Sequence, residues 1–294
     1  MGERIRRRAT GGSIAIGRAG GVGVRWAAVD LAGVVEEARW RHDLSPVAAA
    51  ALGRAFAGAI LLQRLSARAC RRLTLTVSGD GPLGRILAEA DAEGNLRGMV
   101  AEPRLDLPLG PDGRIRIGPA VGQGLLRVVR ELADGTSWES QVELRTGEIG
   151  LDLAHFLEQS EQTPSAVMVG ELEGPEGVRA AGGMIVELMP DAEDVTVERL
   201  ESNLESLGGV SGWLAAGGTD ALVGAVLDGL DREVVETAPV RFRCRCSREA
   251  LLDRLLALPP DDRAEVADED GRVEAECAYC GTHYLYASSE LDPQ

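Results

Sequence analysis

Lysine is absent from this chain of 294 residues, so all 31 basic side chains are arginine, set against 47 acids for a formal net charge of −16. Nucleic acid and anionic membrane are themselves negative, so the acidity argues against a general affinity for either. Aromatic residues are only 3%, which leaves Ala, Val, Leu and Ile to fill the interior. No uninterrupted apolar run of about 18 residues occurs, so no membrane partner is expected. The start, Met1-Gly-Glu-Arg-Ile-Arg-Arg-Arg8, is basic but leads into Ala-Thr-Gly-Gly rather than an apolar stretch, which does not fit a secretory signal. A cytoplasmic location is therefore expected, where thiols are kept reduced and clustered cysteines point to metal or redox chemistry. Neither a Gly-x-Ser-x-Gly elbow nor a Walker loop is present.

What the chain does have is five cysteines, four of them close to its end: Cys244-Arg-Cys246 and Cys277-Ala-Tyr-Cys280, with thirty residues between the pairs. Two close pairs joined by a loop supply the four sulfurs of a tetrahedral Zn²⁺ site. The first pair is one residue shorter than the usual Cys-x-x-Cys. His283 follows three residues after Cys280, but four sulfurs already close such a site, so it is expected at the surface or behind the ligands. Cys70, alone among Arg68, Arg71 and Arg72, reads as a small packed hydrophobe.

Ser45-Pro46 opens a helix that runs to about Leu65. Residues 73–77 alternate as a strand and meet the turn Ser78–Gly84. Although Gly79-x-Gly81-x-x-Gly84 matches a dinucleotide fingerprint, strand-like sequence follows it instead of a helix, so a tight turn is expected. Residues 85–92 and 96–102 read as strands around the hairpin signal Glu93-Gly-Asn95. Further strand-like stretches lie at 114–117, 125–129, 140–144, 167–172 and 184–188. Residues 152–162 read as a helix with His155, Glu158 and Glu161 on its polar face. No catalytic residues are assigned and no enzymatic activity is expected. The fold expected is α+β, with a mixed α/β domain built on antiparallel sheet over residues 1–189.

Composition changes after Pro190. Residues 190–238 carry eleven acids against Arg199 and Arg232. Val197, Leu200, Leu204 and Leu207 form one amphipathic stripe; Leu222, Val226 and Leu230 form another after a cap at Thr219, with glycines between them. Such short, self-repelling helices need a surface to cover, so 190–238 is expected to be an acidic helical linker. Residues 239–294 form the last module: a helix capped by Ser247, ended by Pro259-Pro260, and a hairpin around Cys277–Cys280. A module of this size is marginal from its core alone and commonly needs a staple.

Collected in one chain, these residues resemble the 33 kDa heat-shock chaperonin family. The resemblance rests on 34–39, on 42–62 with Leu44-Ser-Pro46, and on 73–84. It continues through Phe156–Ser165 with Ser-Glu-Gln-Thr-Pro-Ser, Gly182-Gly-Met-Ile-Val186, Phe242-Arg-Cys-Arg-Cys-Ser247 and Cys277-Ala-Tyr-Cys280. It implies a redox-regulated, ATP-independent holdase for unfolding proteins. The N-terminal domain would bind clients and dimerise, and Cys244, Cys246, Cys277 and Cys280 would hold one Zn²⁺ in the reduced form. It further implies disulfides Cys244–Cys246 and Cys277–Cys280 on oxidation, a homodimer when oxidised, and transfer of clients to ATP-dependent chaperones.

Two rival readings remain at this level. A zinc-ribbon nucleic-acid binder would need a basic surface, whereas 239–294 holds seven arginines against twelve acids. A thiol–disulfide oxidoreductase would place Cys277 and Cys280 at the start of a helix, not between strand-like segments.

Overall fold

The computed structural model describes residues 11–21, 23–66, 69–108, 110 and 115–291. The basic start, Arg68 and Arg114 lie outside the described residues. The chain divides into two compact units, residues 1–242 and 243–294.

The first unit begins with an antiparallel pair, β1 (Gly12–Ala19) and β2 (Val24–Asp30). Two helices follow, α1 (Ala32–His42) and α2 (Pro46–Leu65). Ser45 starts α2 as its residue type predicts: its hydroxyl accepts the Ala48 N–H at 3.2 Å, with Pro46 in the first turn. By length and composition α2 could cross a membrane, a property that a search for uninterrupted apolar runs misses because Arg54 and Gln63 break the run. Here 89% of its apolar window is buried inside the protein, and it is the helix around which the main core is built.

Strands β3 (Cys70–Gly79), β4 (Arg85–Asp91) and β5 (Asn95–Val100) form a meander. The 79–84 segment is the tight turn expected of it, with the Gly81 N–H donating to the Val121 carbonyl at 2.9 Å. Residues 115–117 are not a strand; they lead without pairing into the single turn α3 (Gly118–Val121). Next come β6 (Gly124–Leu132), β7 (Ser137–Glu143) and α4 (Ile149–Phe156), which widens into a π-turn over Leu157–Glu161. His155 does not lie on an exposed polar face: it and Asp152 are buried, and Asp152 accepts the Arg145 and Thr146 N–H groups at 2.8 and 3.0 Å. Strands β8 (Ser165–Gly174) and β9 (Gly177–Leu188) complete the span expected to be the α/β domain.

Beyond it lie α5 (Asp194–Ser206) and α6 (Val210–Val226), the latter broken at Gly217 and Gly218. Residues 232–238 depart from the helical linker expected there. They belong to a strand, β10 (Arg232–Phe242), which pairs along β1. Its acidic residues mask the pattern, a bulge at Val235, opposite Ile16 and Gly17, shifts the register, and residues 232–237 are exposed throughout, Val234 and Val235 included.

All ten strands form one sheet in the order β7-β6-β3-β4-β5-β10-β1-β2-β9-β8. Two five-stranded halves meet only where β10 runs parallel to β5, at Arg241–Asn95 and Phe242–Leu96. One face packs on α2. Under the other face of the β1-β2-β9-β8 half lies a second apolar layer, in which Val24, Trp26, Ala28, Met184 and Val186 are buried beneath Leu200, Leu214, Leu222 and Val226 of α5 and α6. The alternation of β2 therefore carries apolar residues to both faces, the signature of a strand buried twice.

The second unit contains α7 (Arg248–Leu256), α8 (Pro260–Glu265), the hairpin β11 (Val273–Glu276) and β12 (His283–Tyr286), and α9 (Ser288–Leu291). Among the described residues its buried apolar cluster is Val273, Tyr286 and Leu291, with Leu251, Leu252, Leu255, Ala267, Ala275 and Tyr284 only partly buried against it. So small a core returns little against the ordering of some fifty residues, at about 1–2 kcal/mol of backbone entropy each.

Candidate metal centre

The four tail cysteines converge inside the second unit. Cys244 and Cys246 lie in the extended segment before α7, and Ser247 caps that helix by accepting the Ala250 N–H at 3.1 Å. Cys277 and Cys280 lie in the turn between β11 and β12. That turn is closed by Cys277 N–H to the Thr282 carbonyl (2.9 Å) and by the Cys280 and Gly281 N–H groups to the Cys277 carbonyl (3.1 and 2.8 Å). Gly281 takes φ +64°, a left-handed conformation that lets the chain turn back without a Cβ in the way.

All four sulfurs lie within 4.8 Å of one another. The pairs Cys244–Cys277 and Cys246–Cys280 stand 3.7 and 3.4 Å apart. A tetrahedron with metal–sulfur bonds of about 2.3 Å has edges of about 3.8 Å, so the donor set fits one zinc-sized, thiophilic cation. All five cysteines are free thiols.

Two hydroxyls reach the sulfurs: Tyr284 Oη lies 3.3 Å from Cys246 Sγ, and the Cys280 thiol donates to Thr282 Oγ1 at 3.2 Å. Burial pushes the Cys277 thiol well above the usual range, opposed by the Tyr279 N–H aimed at it and reinforced by the neighbouring sulfurs. Burial likewise raises Cys246, with the Tyr284 hydroxyl working the other way, and Tyr284 is itself held up by that hydrogen bond. Four thiolates gathered within 4.8 Å repel one another unless a cation compensates them.

The surrounding scaffold is polar as much as apolar. Arg248 grips Glu290 with both nitrogens at 2.7 and 2.9 Å and donates to the Leu285 carbonyl. Its guanidinium lies 4.6 Å from the Tyr286 ring centroid, while the Tyr286 hydroxyl donates to the Arg248 carbonyl. That bidentate contact holds Glu290 down at about 2.

His283 is not one of the gathered side chains. It is exposed and pairs with Glu274 at 2.8 Å. Cys70 is buried in β3, its thiol donating to the Arg72 carbonyl and raised by burial, which suits a packed residue rather than a nucleophile. Tyr284 and Thr282 escaped the sequence reading, because nothing in their spacing marks a side chain that reaches a sulfur rather than coordinating a metal.

The family model described as Hsp33 protein matches residues 16–287. This chain belongs to the Hsp33 family. It is 44% identical over 291 residues to the 33 kDa chaperonin of Thermus thermophilus, covering 95% of this chain and 85% of that one. To the 33 kDa chaperonin of Symbiobacterium thermophilum it is 43% identical over 279 residues, 94% of each. The crystal structure of the 33 kDa chaperonin from Thermotoga maritima superposes with a TM-score of 0.88 at 37% identity, covering 95% of this chain and 96% of that one. The protein is thus a chaperone and not an enzyme, and the α+β expectation holds. Placement of Cys277 and Cys280 in a hairpin turn agrees with this and disfavours the oxidoreductase reading.

Proposed function

We propose that this protein is an ATP-independent holdase for unfolding proteins, silent while reduced and released by oxidation of the four tail cysteines. The observation that carries the proposal is the gathering of four sulfurs within 4.8 Å in a unit whose buried apolar cluster, among the described residues, has three members. Cys244, Cys246, Cys277 and Cys280 hold one Zn²⁺ per chain. A bound zinc supplies folding energy, about 10–16 kcal/mol in small zinc modules, and keeps the sulfurs as thiolates.

Under peroxide stress a thiolate attacks one oxygen of H₂O₂. An S–O bond forms, the O–O bond breaks and hydroxide leaves. A second thiolate then displaces hydroxide from the sulfenic acid to form the disulfide, so two sulfurs give two electrons and two waters result after protonation. Family resemblance pairs Cys244 with Cys246 and Cys277 with Cys280. Disulfided sulfurs no longer bind a cation, and such short loops restrain the unfolded chain little, so the tail unfolds. Phe242 is two residues from Cys244, so disorder in the tail starts at the end of β10.

The helices α5 and α6, in the acidic linker region 190–238, then lift from the sheet and free the apolar layer around Trp26 and Met184 for clients. In this scheme residues 1–189 bind clients and dimerise, and 239–294 is the redox switch. The active form is a homodimer in the cytoplasm that passes its clients to ATP-dependent chaperones.

The test measures zinc content, free thiols and suppression of a model protein's aggregation before and after peroxide with mild heat. Zinc loss, thiol loss and gain of suppression should coincide. Equal suppression by the reduced, zinc-loaded protein would refute the switch.

A further inference from the structure

We infer that Tyr284 is a positioning residue for the redox switch: its hydroxyl, 3.3 Å from Cys246 Sγ, orients that sulfur and damps its reactivity toward electrophiles. The inference rests on the zinc-thiolate reading above. A metal-bound sulfur is a thiolate without a proton, so it can only accept, and the phenol must be the donor. A hydrogen bond to a thiolate ties up the lone pair that would attack peroxide and lowers its basicity, and nucleophilicity falls with basicity.

The placement of Tyr284 is fixed by the fold rather than by chance rotation. Its strand β12 is registered against β11 by the pair Ala275–Tyr284, and its ring packs against the small cluster of Val273, Tyr286 and Leu291. From there it reaches across 38 residues of sequence to the first cysteine pair. One side chain from the second motif's hairpin thus sets the reactivity of a sulfur in the first. The consequence is local: removing the phenol donor frees Cys246 and leaves the contacts of Thr282 with Cys280 and of the Tyr279 N–H with Cys277 in place.

The experiment uses the full-length, zinc-loaded, reduced protein. Each cysteine's rate of alkylation by iodoacetamide, in which an S–C bond forms and iodide leaves, is read by peptide mass spectrometry. Tyr284→Phe keeps the ring and removes the donor. It should raise the Cys246 rate relative to Cys277 by roughly three- to tenfold, the size given by a more basic thiolate on a Brønsted slope of about 0.4–0.5.

3-Fluorotyrosine placed at position 284 alone, whose phenol is a stronger donor, should move the same ratio down. This arm keeps the ring and the hydroxyl, so it does not depend on losing a contact. The peroxide arm should show Cys246 oxidised faster in Tyr284→Phe than in the wild type. An unchanged ratio in both arms, or equal acceleration at all four cysteines, overturns the inference while leaving the zinc switch standing. A wild-type protein that binds no zinc overturns both.

Discussion

The Phe242 ring meets the Phe56 ring edge-on, with centroids 6.3 Å apart and planes at 65°, two residues before Cys244. Phe56 belongs to the buried face of α2, and Arg41 of α1 lies 5.4 Å from the Phe242 ring centroid on the same anchor. The last strand of the sheet is therefore pinned to the central helix immediately before the chain enters the cysteine-bearing unit.

Phe242→Ala should cost about 2 kcal/mol, less than the ~3–5 kcal/mol of a fully buried phenylalanine because this ring is half-buried. Thermal unfolding followed by tryptophan emission should shift downward, and amides of 232–242 should exchange faster. Zinc content should not change. A variant as stable as the parent would show that the ring contact contributes nothing.

Gly218, at the break in α6, has φ 64° and ψ −151°, a conformation that side chains disfavour. Gly218→Ala should therefore cost about 1–3 kcal/mol and loosen α6 from the sheet. Gly212 sits in the same helix, and a Cβ there meets open space, so Gly212→Ala should stabilise it by up to about 1 kcal/mol. If the covering helices silence the protein, the reduced Gly218→Ala variant should suppress aggregation without oxidant and Gly212→Ala should not. Limited proteolysis within 194–226 gives an independent reading.

All three tyrosines lie in the tail and all four tryptophans in the first unit, so the two signals separate. Zinc chelation under reducing conditions should abolish the tyrosine near-ultraviolet circular dichroism while first-unit secondary structure persists. Trp26, buried beneath α5 and α6, should shift to the red only if those helices also leave. A tail that keeps its tyrosine signal after chelation would contradict the need for metal.

Glu171 on β8 titrates at about 7 because burial disfavours its charge and Glu173 adds repulsion, with Arg54 only partly compensating. Unfolded, the group has its ordinary value near 4.5. Its contribution to stability is thus full below about 4.5 and falls as pH rises through about 7, since only the folded chain holds the proton in that window. Glu171→Gln cannot ionise and should be more stable than the parent at pH 8, by on the order of 2 kcal/mol. The difference should vanish below about pH 5. Denaturant titrations at the two pH values test this.

Much of the site was legible in the sequence because coordination chemistry restricts both residue type and spacing. Cys244, Cys246, Cys277 and Cys280 are brought together as their pattern required. Helix α2 and the β4–β5 hairpin were equally legible, since Ser45-Pro46 and Glu93-Gly-Asn95 act over a few residues. Strand β2 was not, because a strand buried on both faces loses its alternation. β10 was hidden by its acids, and its pairing with β1 and β5 joins residues more than a hundred positions apart. Tyr284 was invisible for the same reason: its partner Cys246 is 38 residues away.

The sequence by itself determined the two close cysteine pairs, the acidity, the apolar central helix and the amphipathic stripes of 197–207 and 222–230, all properties of residue type and near-neighbour spacing. Only the tertiary structure decided which face those stripes cover, that 232–242 closes the sheet rather than extending the linker, and which hydroxyl reaches which sulfur. Those outcomes depend on contacts between segments far apart in the chain, where packing and register, not local preference, select the partner.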